Sequence, residues 1–430
     1  MRAERGAYDR SVTRTTTAAP PLTVSTRILD DPGAVLRHTL RDNPLAFVRN
    51  GDGIVGIGEA LRLTFSGPER MRDASRAWHA LVQDAVVDDP VQLRGTGLVA
   101  FGAFTFADDS AETSVLVVPR VVIGRRRGKA WLTAVDTTFD PAPLAFTRTS
   151  APVPQVGEHL SVHLAPGSID EDAYATRVAE AVRRIAAGDA EKVVLARDLV
   201  GQLPAGADRR ALLLDLAEAY PQCVTFAVDG LVGATPETLA RTDGTRLTAR
   251  VLAGSAARGA DAVTDRAAAE ALAASRKDVE EHAFAIDSLL AALRPIASDL
   301  RADPEPFRLQ LPNLWHLATD VQATLPTGTT SLDVADALHP TAAVAGTPTD
   351  VAVRLVAELE GVDRGRYAGP VGWLGANGDG EWMLALRSAQ LSDDGTVRAW
   401  AGAGIVAGSD PAREVAETAL KFRPITDALA

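Results

Sequence analysis

Two pairs of carboxylates, each three residues apart, are the side chains of this sequence best spaced to do chemistry. Glu414 and Glu417 form one pair near the C-terminus, and Asp278 and Glu281 form the other, inside the stretch RKDVEEHAFAI. Side chains at i and i+3 lie on one face of a helix, and Lys421 extends the first pair along that face. Two helices that each present two carboxylates could hold Mg²⁺, which prefers oxygen ligands.

The same spacing also fits an ordinary solvated helix face. The apolar stripe predicted for the first of these helices consists of Val279, Ile286, Leu290 and Leu293. Glu281 points away from this stripe and could form an i, i+4 surface ion pair with Lys277. Glu417 could do the same with Lys421. Spacing alone therefore favours the solvated face. The stretch EEHAF does not match H-E-x-x-H, which excludes the zinc-protease motif.

A glycine-rich stretch, GAGIVAG, precedes the second carboxylate pair and contains Gly402, Gly404 and Gly408. A dinucleotide-binding loop needs the tighter spacing G-x-G-x-x-G and a complete strand–helix–strand unit, and too little chain follows Gly408 to build one. Glycines do let a backbone approach a ligand closely. With Ser409 as cap and Pro411 in the first turn of the next helix, we predict a cradle for a small anion.

The composition narrows the class of protein. Of the 430 residues, 46% are hydrophobic, which allows a sizeable core, and the formal net charge is −12. Because phosphate recognition needs clustered cations, this charge disfavours a nucleic-acid partner. The one strongly basic run, at residues 125–127, is interpreted as a solvated hairpin tip. The single cysteine, Cys223, excludes an internal disulfide and a cysteine-cluster metal site, and its apolar neighbours predict a buried thiol.

The sequence does not predict association with a membrane. No apolar stretch approaches the roughly twenty residues that span a bilayer. Residues 1–25 are rich in Arg, Thr, Ala and Pro. They lack the apolar segment of a secretion signal, so we interpret them as a disordered leader and expect a soluble, cytoplasmic protein.

The remaining chain alternates between clusters of predicted strands and clusters of predicted helices. Short apolar runs indicate antiparallel strands in the first 160 residues, and the proline-rich residues 139–157 indicate a surface loop. Ser168 and Glu171 suggest a capping box that starts a helix ending at Gly188.

Further elements follow in the second half of the chain. We predict a strand that begins near Lys192, two strands joined by a turn at residues 229–230, and helix over residues 265–298. Clusters without regular alternation are typical of an α+β fold on large antiparallel sheets. No linker separates residues 26–160 from residues 165–430, so we expect a single domain over residues 26–430.

Nine short motifs also follow one another in the order of a known family. They are IAAGDAEKVVLAR (185–197), GATPETL (233–239), LAGSAARG (252–259), KDVEEH (277–282), NLWHLATDV (313–321), LHPTAAVAGTP (338–348), RYAGPVGW (366–373), ALRSA (385–389) and AGAGIVAGSDPAREVAET (401–418). Together they resemble the chorismate-utilising enzymes, which include isochorismate, salicylate, anthranilate and aminodeoxychorismate synthases. The resemblance implies a Mg²⁺-dependent enzyme with one large antiparallel β-sandwich core flanked by helices.

Three positions separate the members of this family. Lys192 stands where water-using members keep a lysine and ammonia-using members keep a glutamine. Ala253 stands where aminodeoxychorismate synthases carry a lysine, and Ala343 stands where isochorismate synthases usually have alanine and salicylate and anthranilate synthases threonine. All three imply isochorismate synthase. Ala342 replaces the family's usual proline, which loosens the loop that holds Ala343.

The resemblance also implies roles for individual residues. Lys192 resembles the base that activates water, and Glu237 the acid that protonates the leaving hydroxyl, which requires a raised pKa. The alternatives are a structural lysine at a strand start and a turn carboxylate. Glu281 and Glu417 are implied as direct Mg²⁺ ligands, with Asp278 and Glu414 as water-mediated or outer partners. The implied substrate contacts are Ser255, His316, Ala343, Tyr367, Arg387, Gly402, Gly404 and Lys421.

Several alternatives remain open from the sequence. A salicylate synthase would share Lys192 and Glu237 and then eliminate pyruvate. A non-catalytic binding protein with the same fold is a second alternative, and a core histidine is a second interpretation of His316. We expect chorismate as the substrate, no amidotransferase subunit because of Lys192, and a monomer. The product could serve menaquinone or siderophore biosynthesis, of which menaquinone is preferred.

Overall fold

The computed structural model describes residues 21–136 and 155–430. Within these ranges the helices are α1 (Arg70–Asp84), α2 (Glu171–Ala186), α3 (Arg209–Ala219), α4 (Ala262–Ala274), α5 (Arg276–Leu293), α6 (Ser331–Leu338), α7 (Thr349–Glu360) and α8 (Pro411–Asp427), with one 3₁₀ turn at Val35–His38. The strands of the first half are β1 (Thr23–Leu29), β2 (Leu45–Arg49), β3 (Asp52–Ile57), β4 (Leu61–Phe65), β5 (Val86–Asp88), β6 (Val99–Ala103), β7 (Ser114–Val118), β8 (Val121–Arg126), β9 (Lys129–Asp136), β10 (Ala165–Pro166) and β11 (Lys192–Gln202). Those of the second half are β12 (Val224–Val228), β13 (Leu231–Thr235), β14 (Thr238–Asp243), β15 (Arg246–Ala257), β16 (Ser298–Ala302), β17 (Phe307–Gln310), β18 (Leu314–Thr324), β19 (Gly346–Thr347), β20 (Pro370–Gly375), β21 (Gly380–Leu384), β22 (Ser388–Leu391) and β23 (Thr396–Ile405).

These strands form two sheets. The first has the order β10-β11-β23-β22-β13-β12-β2-β3-β8-β9-β1-β5, with β19 paired to β11, and the second has the order β16-β18-β15-β14-β21-β20-β6-β7-β4, with β17 paired to β18. Neighbouring strands are antiparallel, apart from the parallel pair of β1 and β5. Both sheets combine strands from the two halves of the chain, so the described residues form one domain.

The two sheets pack face to face on a shared apolar layer. Its members come from β2, β3 and β8 in the first sheet and from β6, β7 and β20 in the second; they include Phe47, Ile54, Phe101, Val122 and Val371. Helices α2, α7 and α8 contact the first sheet at β11 and β23, and α5 contacts the second at β15. The predicted α+β fold, with an antiparallel β-sandwich flanked by helices, is confirmed.

Two predicted turns are confirmed, and both depend on left-handed backbone. Asp229 and Gly230 join β12 to β13 with φ of 52° and 77°. The basic run 125–127 ends the β8–β9 hairpin, where Arg127 and Gly128 have φ of 50° and 78°. Such two-residue turns match the twist of antiparallel strands. The interpretation of the basic run as solvated was wrong for Arg125 and Arg126, which are half-buried. Cys223 is buried, as predicted.

The predicted helix starts were wrong in detail. Helix α2 is capped by Asp170, which accepts a hydrogen bond from the Ala173 amide, instead of by a Ser168–Glu171 box. Helix α8 is capped by Asp410, whereas the Ser409 hydroxyl accepts from the Val406 amide. In both cases the aspartate next to the predicted cap reaches the free amides of the first turn.

The helix predicted over 265–298 is two helices, α4 and α5, separated at Ser275. Ser275 has extended backbone, with ψ of 112°, and its hydroxyl accepts from the Asp278 amide. A serine side chain that bonds nearby backbone competes with helix continuation, so the chain bends there and starts again. This break fixes the direction in which Asp278 and Glu281 project.

The predicted leader at 1–25 is wrong for its last residues, because β1 begins at Thr23 and pairs with β9. Residues 1–20 and most of the predicted loop at 139–157 lie outside the described residues. In the part of the chain that the structure describes, no helix is both long and apolar enough to cross a membrane.

Candidate active site

A cavity of about 60 Å³ lies where β11, β15 and β23 meet helices α5 and α8. Ten of the predicted site residues line it: Glu237, Ser255, Glu281, His316, Ala343, Tyr367, Arg387, Gly402, Gly404 and Lys421. The other four, Lys192, Asp278, Glu414 and Glu417, do not line the cavity. The fold therefore gathers residues from nine separate strands, helices and loops around one small space.

Lys192 begins β11 and is fully buried. Its ammonium nitrogen lies 3.3 Å from Oε1 of Glu281, an ion-pair contact, and has no hydrogen-bond partner among the described residues. Glu281 projects from α5 and is 6% exposed. A buried ammonium without hydrogen bonds is costly, so this lysine is placed for a use other than stability.

Gly404 makes room for this pair. It lies on β23 opposite Val194 of β11. A Cβ at Gly404 would lie 2.2 Å from Oε1 of Glu281 and 2.9 Å from Cε of Lys192. Any larger residue would therefore displace both side chains. The glycine acts here by permitting a close approach of side chains, in addition to the predicted backbone cradle.

Glu237 occupies the short bend between β13 and β14. It is 4% exposed, and the Leu252 amide donates to its Oε1 at 3.5 Å. Burial raises the pKa of Glu237 to about 7, against the lowering effect of that amide and of the Lys192 charge. The raised pKa that the acid role requires is therefore present.

His316 connects Arg387 to the bulge in β15. Its Nδ1 lies 3.1 Å from both the Gly254 carbonyl and the Ser255 hydroxyl, and its Nε2 lies 2.9 Å from Nη2 of Arg387. Burial, and next the charge of Arg387, hold the pKa of His316 well below its usual range. Because a guanidinium only donates, Nε2 accepts from Arg387 and the single proton lies on Nδ1.

Arg387 itself lies at the end of the β21–β22 connection. It has a left-handed φ of 53°, and its carbonyl accepts from the Ala234 amide. Burial lowers the pKa of this guanidinium, partly opposed by the neighbouring Tyr367. Arg387 is 8% exposed, so the surrounding structure must hold its unfavourable left-handed backbone in place. Such strained residues are typical of functional positions.

Tyr367 and Lys421 complete the polar wall. The Tyr367 ring stacks on Trp400 with centroids 5.9 Å apart, and burial raises the pKa of its hydroxyl to about 12. Lys421 of α8 donates to the Gly402 carbonyl at 3.1 Å and pairs with Glu417 at 2.5 Å. A neutral phenol, a guanidinium and an ammonium on one cavity wall suit an anionic ligand.

The predicted metal carboxylates approach one another around a lysine. Lys277 donates to Oε1 of Glu414 at 2.8 Å. Burial opposes the charge on Lys277, but three carboxylates outweigh burial and raise its pKa; in decreasing order of effect these are Glu414, Glu281 and Glu417. Burial and the Glu417 charge raise the pKa of Glu414, whereas for Glu417 the charges of Lys421 and Lys277 exceed the effect of burial and lower it.

The chemistry of this carboxylate group fits a hard divalent cation. Glu414 is 1% exposed, and its carboxylate lies beside Lys277, Glu417 and Ser409. Within residues 21–136 and 155–430, no three His, Cys, Asp or Glu side chains stand close enough to form a ready metal site. The ligand types fit Mg²⁺, and side-chain movement is needed to assemble them.

The solvated-face interpretation of these carboxylates was wrong for Glu281 and Glu414, which are buried. The surface pair between Lys277 and Glu281 was also wrong, because Lys277 pairs with Glu414 on α8. Val279, assigned to the apolar stripe, is 40% exposed. On the side that its own periodicity marked as polar, helix α5 packs on β15 and reaches α8 through the ion pair of Lys277 and Glu414. Asp278 packs against Gly254, whose added Cβ would lie 3.0 Å from that of Asp278.

Three features of the site were missed by sequence reasoning. Lys277 was interpreted as a surface residue, although it directly precedes Asp278 in the KDVEEH motif. Trp400 supports Tyr367, and no spacing signal pointed to it. Arg364 lines the cavity wall and donates to the Val194 carbonyl at 2.7 Å, and Glu360 pairs with it.

Comparison with known proteins identifies the family of this chain. The family model described as "Chorismate binding enzyme" matches residues 23–430. Since the match covers nearly the whole chain, the protein belongs to the chorismate-binding enzyme family. The resemblance seen in the nine motifs is therefore confirmed, and it extends into the first half of the chain, where no motif was visible.

Individual relatives are similar over most of their length. "Putative isochorismate synthase MenF" of Mycobacterium tuberculosis is 39% identical over 350 residues, which cover 78% of this chain and 87% of that protein. Isochorismate synthase DhbC of Bacillus subtilis is 39% identical over 62% of this chain and 70% of its own. The solved structure of MenF, the menaquinone-specific isochorismate synthase of Escherichia coli, has a TM-score of 0.77 at 26% identity, covering 96% of this chain and 95% of that one.

Proposed function

We propose that this protein is an isochorismate synthase, which converts chorismate to isochorismate. The observation that carries the proposal is a buried, protonatable carboxyl, Glu237, that lines the cavity of a chorismate-binding enzyme, together with a buried lysine, Lys192, 3.3 Å behind the lining carboxylate of Glu281. Ala343 in the cavity lining, where salicylate and anthranilate synthases usually have threonine, also supports it. The names of the relatives that are 39% identical agree with the proposal.

The proposed reaction adds the oxygen of water at C2 of the chorismate ring and releases the C4 hydroxyl as water, while the ring double bonds shift between them. A base must take a proton from the attacking water, and an acid must give one to the departing hydroxyl. We assign the base to Lys192 and the acid to Glu237. With a pKa of about 7, Glu237 is protonated in about half of the enzyme molecules at neutral pH.

Lys192 needs access to the cavity for this role. Glu281 lines the cavity and Lys192 does not, and the two are 3.3 Å apart. To take a proton from water, Lys192 must act as the neutral amine, with its own proton given up to solvent beforehand. We therefore propose that Glu281 moves away from Lys192 when the substrate complex forms. That movement also enlarges a cavity of about 60 Å³, which is small for chorismate.

The cationic wall would bind the two carboxylates of chorismate. Arg387 presents a bidentate guanidinium whose orientation is fixed by His316 at 2.9 Å, and Tyr367 adds a neutral hydroxyl beside it. Lys421 adds a second positive charge near Gly402. Because buried partners hold these side chains in place, they need not reorganise as charge develops during the reaction. This preorganisation stabilises the transition state.

We also propose that the enzyme uses Mg²⁺. Glu281 and Glu417 would hold the ion, with Asp278 and Glu414 as outer partners, because these carboxylates supply oxygen ligands beside the cavity. When bound, the ion would orient the ring carboxylate of chorismate and offset its charge.

Product analysis tests the proposal. Purified protein is incubated with chorismate and Mg²⁺, and the products are separated and identified by mass. We expect isochorismate with no pyruvate. Stoichiometric pyruvate and fluorescent salicylate would instead show a salicylate synthase. Lys192→Ala should abolish turnover, and a variant that keeps full activity would remove Lys192 from the base role.

We further propose that the enzyme acts as a cytoplasmic monomer without an amidotransferase subunit, and that its product feeds menaquinone biosynthesis. Lys192, at the position where ammonia-using relatives have glutamine, supports the absence of an amidotransferase subunit. The similarity to the menaquinone-specific enzyme of Escherichia coli supports menaquinone biosynthesis as the pathway. Deleting the gene should remove menaquinone; loss of a catecholate siderophore with menaquinone intact would contradict the assignment.

A further inference from the structure

A second cavity, of about 240 Å³, shares no lining residue with the candidate active site. Its walls come from the β2–β3 and β8–β9 hairpins and from β14, β20 and β21. Six arginines line it, and they define what is called here the arginine cavity: Arg49, Arg94, Arg125, Arg126, Arg127 and Arg241. Only two acids, Asp52 and Glu381, accompany them. Such a concentration of positive charge is unexpected in a chain whose net charge is −12.

The two acids do not neutralise these arginines. Glu381 is shared, with Arg49 at 3.1 Å, Arg94 at 3.5 Å and Arg241 at 3.9 Å. Asp52 accepts a hydrogen bond from the backbone amide of Arg127 at 2.9 Å. Arg125 also pairs with Asp31, which lies outside the cavity, at 3.5 Å. Three carboxylates therefore contact the six arginines, which leaves a net positive charge in the arginine cavity.

The arginines are close enough to oppose one another. Burial lowers the pKa of Arg94; Glu381 opposes this effect, and the charges of Arg241 and Arg126 add to it. Burial likewise lowers the pKa of Arg126, and Arg241 and Arg127 lower it further. Partly buried like charges raise the free energy of the folded protein, and a bound anion would relieve that cost.

The cavity is also preorganised. Arg94 stacks on Trp373 at 4.6 Å and donates to the backbone carbonyls of Thr242 at 2.5 Å and Gly380 at 2.7 Å. Phe47 and Trp131 supply apolar wall. Nε of Arg49 and Nε of Arg125 are buried without hydrogen-bond partners among the described residues. Hydrogen-bond donors that are held in place, lack partners and lie in apolar surroundings are typical of a ligand site.

We propose that the arginine cavity is a second ligand site, which binds a small polyanion carrying two or more phosphate or carboxylate groups. A single negative charge would not offset the positive charge that the six arginines hold in excess of Asp31, Asp52 and Glu381. The planar forks of arginine match both phosphate and carboxylate oxygens. The proposal does not depend on the reaction at the candidate active site, and its test measures binding.

Calorimetric titration with two probes tests the site. Pyrophosphate supplies phosphate oxygens and citrate supplies carboxylates, and both are titrated into the full-length protein at low salt without Mg²⁺. We expect one molecule of at least one probe to bind, and the preferred probe identifies the anionic group. Replacing Arg126 and Arg241 together by glutamine should weaken binding about tenfold to a hundredfold, because two charge-assisted contacts are lost.

Two control variants locate the binding. Arg301 and Arg308 are exposed on β16 and β17, so Arg301→Gln with Arg308→Gln removes the same charge elsewhere and should leave the affinity unchanged. Arg387→Gln removes the anion contact of the candidate active site and should also leave it unchanged. If the double variant at 126 and 241 does not fold by circular dichroism, Arg127→Gln alone, at an exposed position, should still weaken binding. Absence of binding for both probes, or binding that Arg387→Gln removes, would overturn the proposal.

Discussion

Glu281 and Lys192 meet directly above Gly404: their charged atoms are 3.3 Å apart, and a Cβ on the glycine would lie 2.2 Å from the same Glu281 oxygen. Helix α5 and strands β11 and β23, which are distant in sequence, each contribute one of these residues. The proposed catalytic base, Lys192, and a proposed metal ligand, Glu281, can therefore approach each other only because residue 404 has no side chain.

Gly404→Ala should remove activity while leaving the fold intact. Gly404 lies in a strand without left-handed backbone, and the atoms that meet the new methyl group belong to the flexible side chains of Glu281 and Lys192. We expect kcat/KM to fall about a hundredfold or more, because displacement by about 1 Å has that effect on reacting groups. Urea denaturation should show a change of about 1 kcal/mol or less.

Gly408→Ala is the matched control, since a Cβ there meets nothing within 4 Å. It should keep both activity and stability. Near-normal turnover in Gly404→Ala would show that the pair does not need its present position.

The raised pKa of Glu237 predicts how activity depends on pH. The carboxyl must be protonated to donate a proton, so kcat/KM, which reports the free enzyme, should decline as the pH rises through about 7. Glu237→Gln should lose activity by about 10²- to 10⁴-fold. A pH–rate profile at chorismate concentrations below KM measures this decline, and a kcat/KM that stays constant up to pH 9 would exclude Glu237 as the acid.

The same carboxyl should affect stability with a definite sign. Glu237 binds its proton more tightly in the folded state, so its contribution is favourable at low pH and is lost as the pH rises from about 4.3, the unfolded value, through about 7. At pH 8, Glu237→Gln should therefore be more stable than the parent protein, by up to about 3 kcal/mol. Denaturation at pH 5 and pH 8 compares the two proteins, and equal differences at both would contradict the assignment.

His316 is predicted to act by positioning Arg387. His316→Phe removes the Nε2 acceptor that lies 2.9 Å from Nη2 of Arg387 and leaves the guanidinium unpaired on that side. KM for chorismate should rise about tenfold, with a smaller change in kcat. Ser255→Ala should have a smaller effect, because Nδ1 of His316 keeps its hydrogen bond to the Gly254 carbonyl. An unchanged KM in His316→Phe would refute the positioning role.

Lys277 is predicted to stabilise the metal-free protein. Lys277→Met leaves the buried Glu414 without its partner at 2.8 Å, which should cost about 3 kcal/mol in EDTA. Added Mg²⁺ should restore part of this loss, because the cation replaces the missing charge. Lys129→Met, at an exposed hairpin position, is the control. Thermal melting measures the loss of stability in EDTA and in Mg²⁺. An equal loss under both conditions would argue against metal binding at these carboxylates.

The sequence was most informative where several motifs had to agree. The sandwich, the hairpin turns and ten cavity residues follow from motif order and turn chemistry. The burial of Glu281 did not, because helical periodicity reports only the apolar face of one helix, and β15 packs on the other side of α5. Capping by Asp170 and Asp410 depended on which of several nearby polar residues reached the free amides, and the break at Ser275 depended on its hydroxyl doing so. The arginine cavity requires two hairpins and several further strands to meet, so only one hairpin tip was visible in the sequence.

Isotope labelling tests the central claim most directly. Chorismate is converted by the purified enzyme in water enriched in ¹⁸O, and the mass of isochorismate is measured with fragments that separate the C2 hydroxyl from the carboxylates. If water is activated beside Lys192 and added at C2 while Glu237 releases the C4 hydroxyl, isochorismate carries ¹⁸O in its ring hydroxyl. Unlabelled isochorismate would show that the original hydroxyl migrates, and would contradict this account.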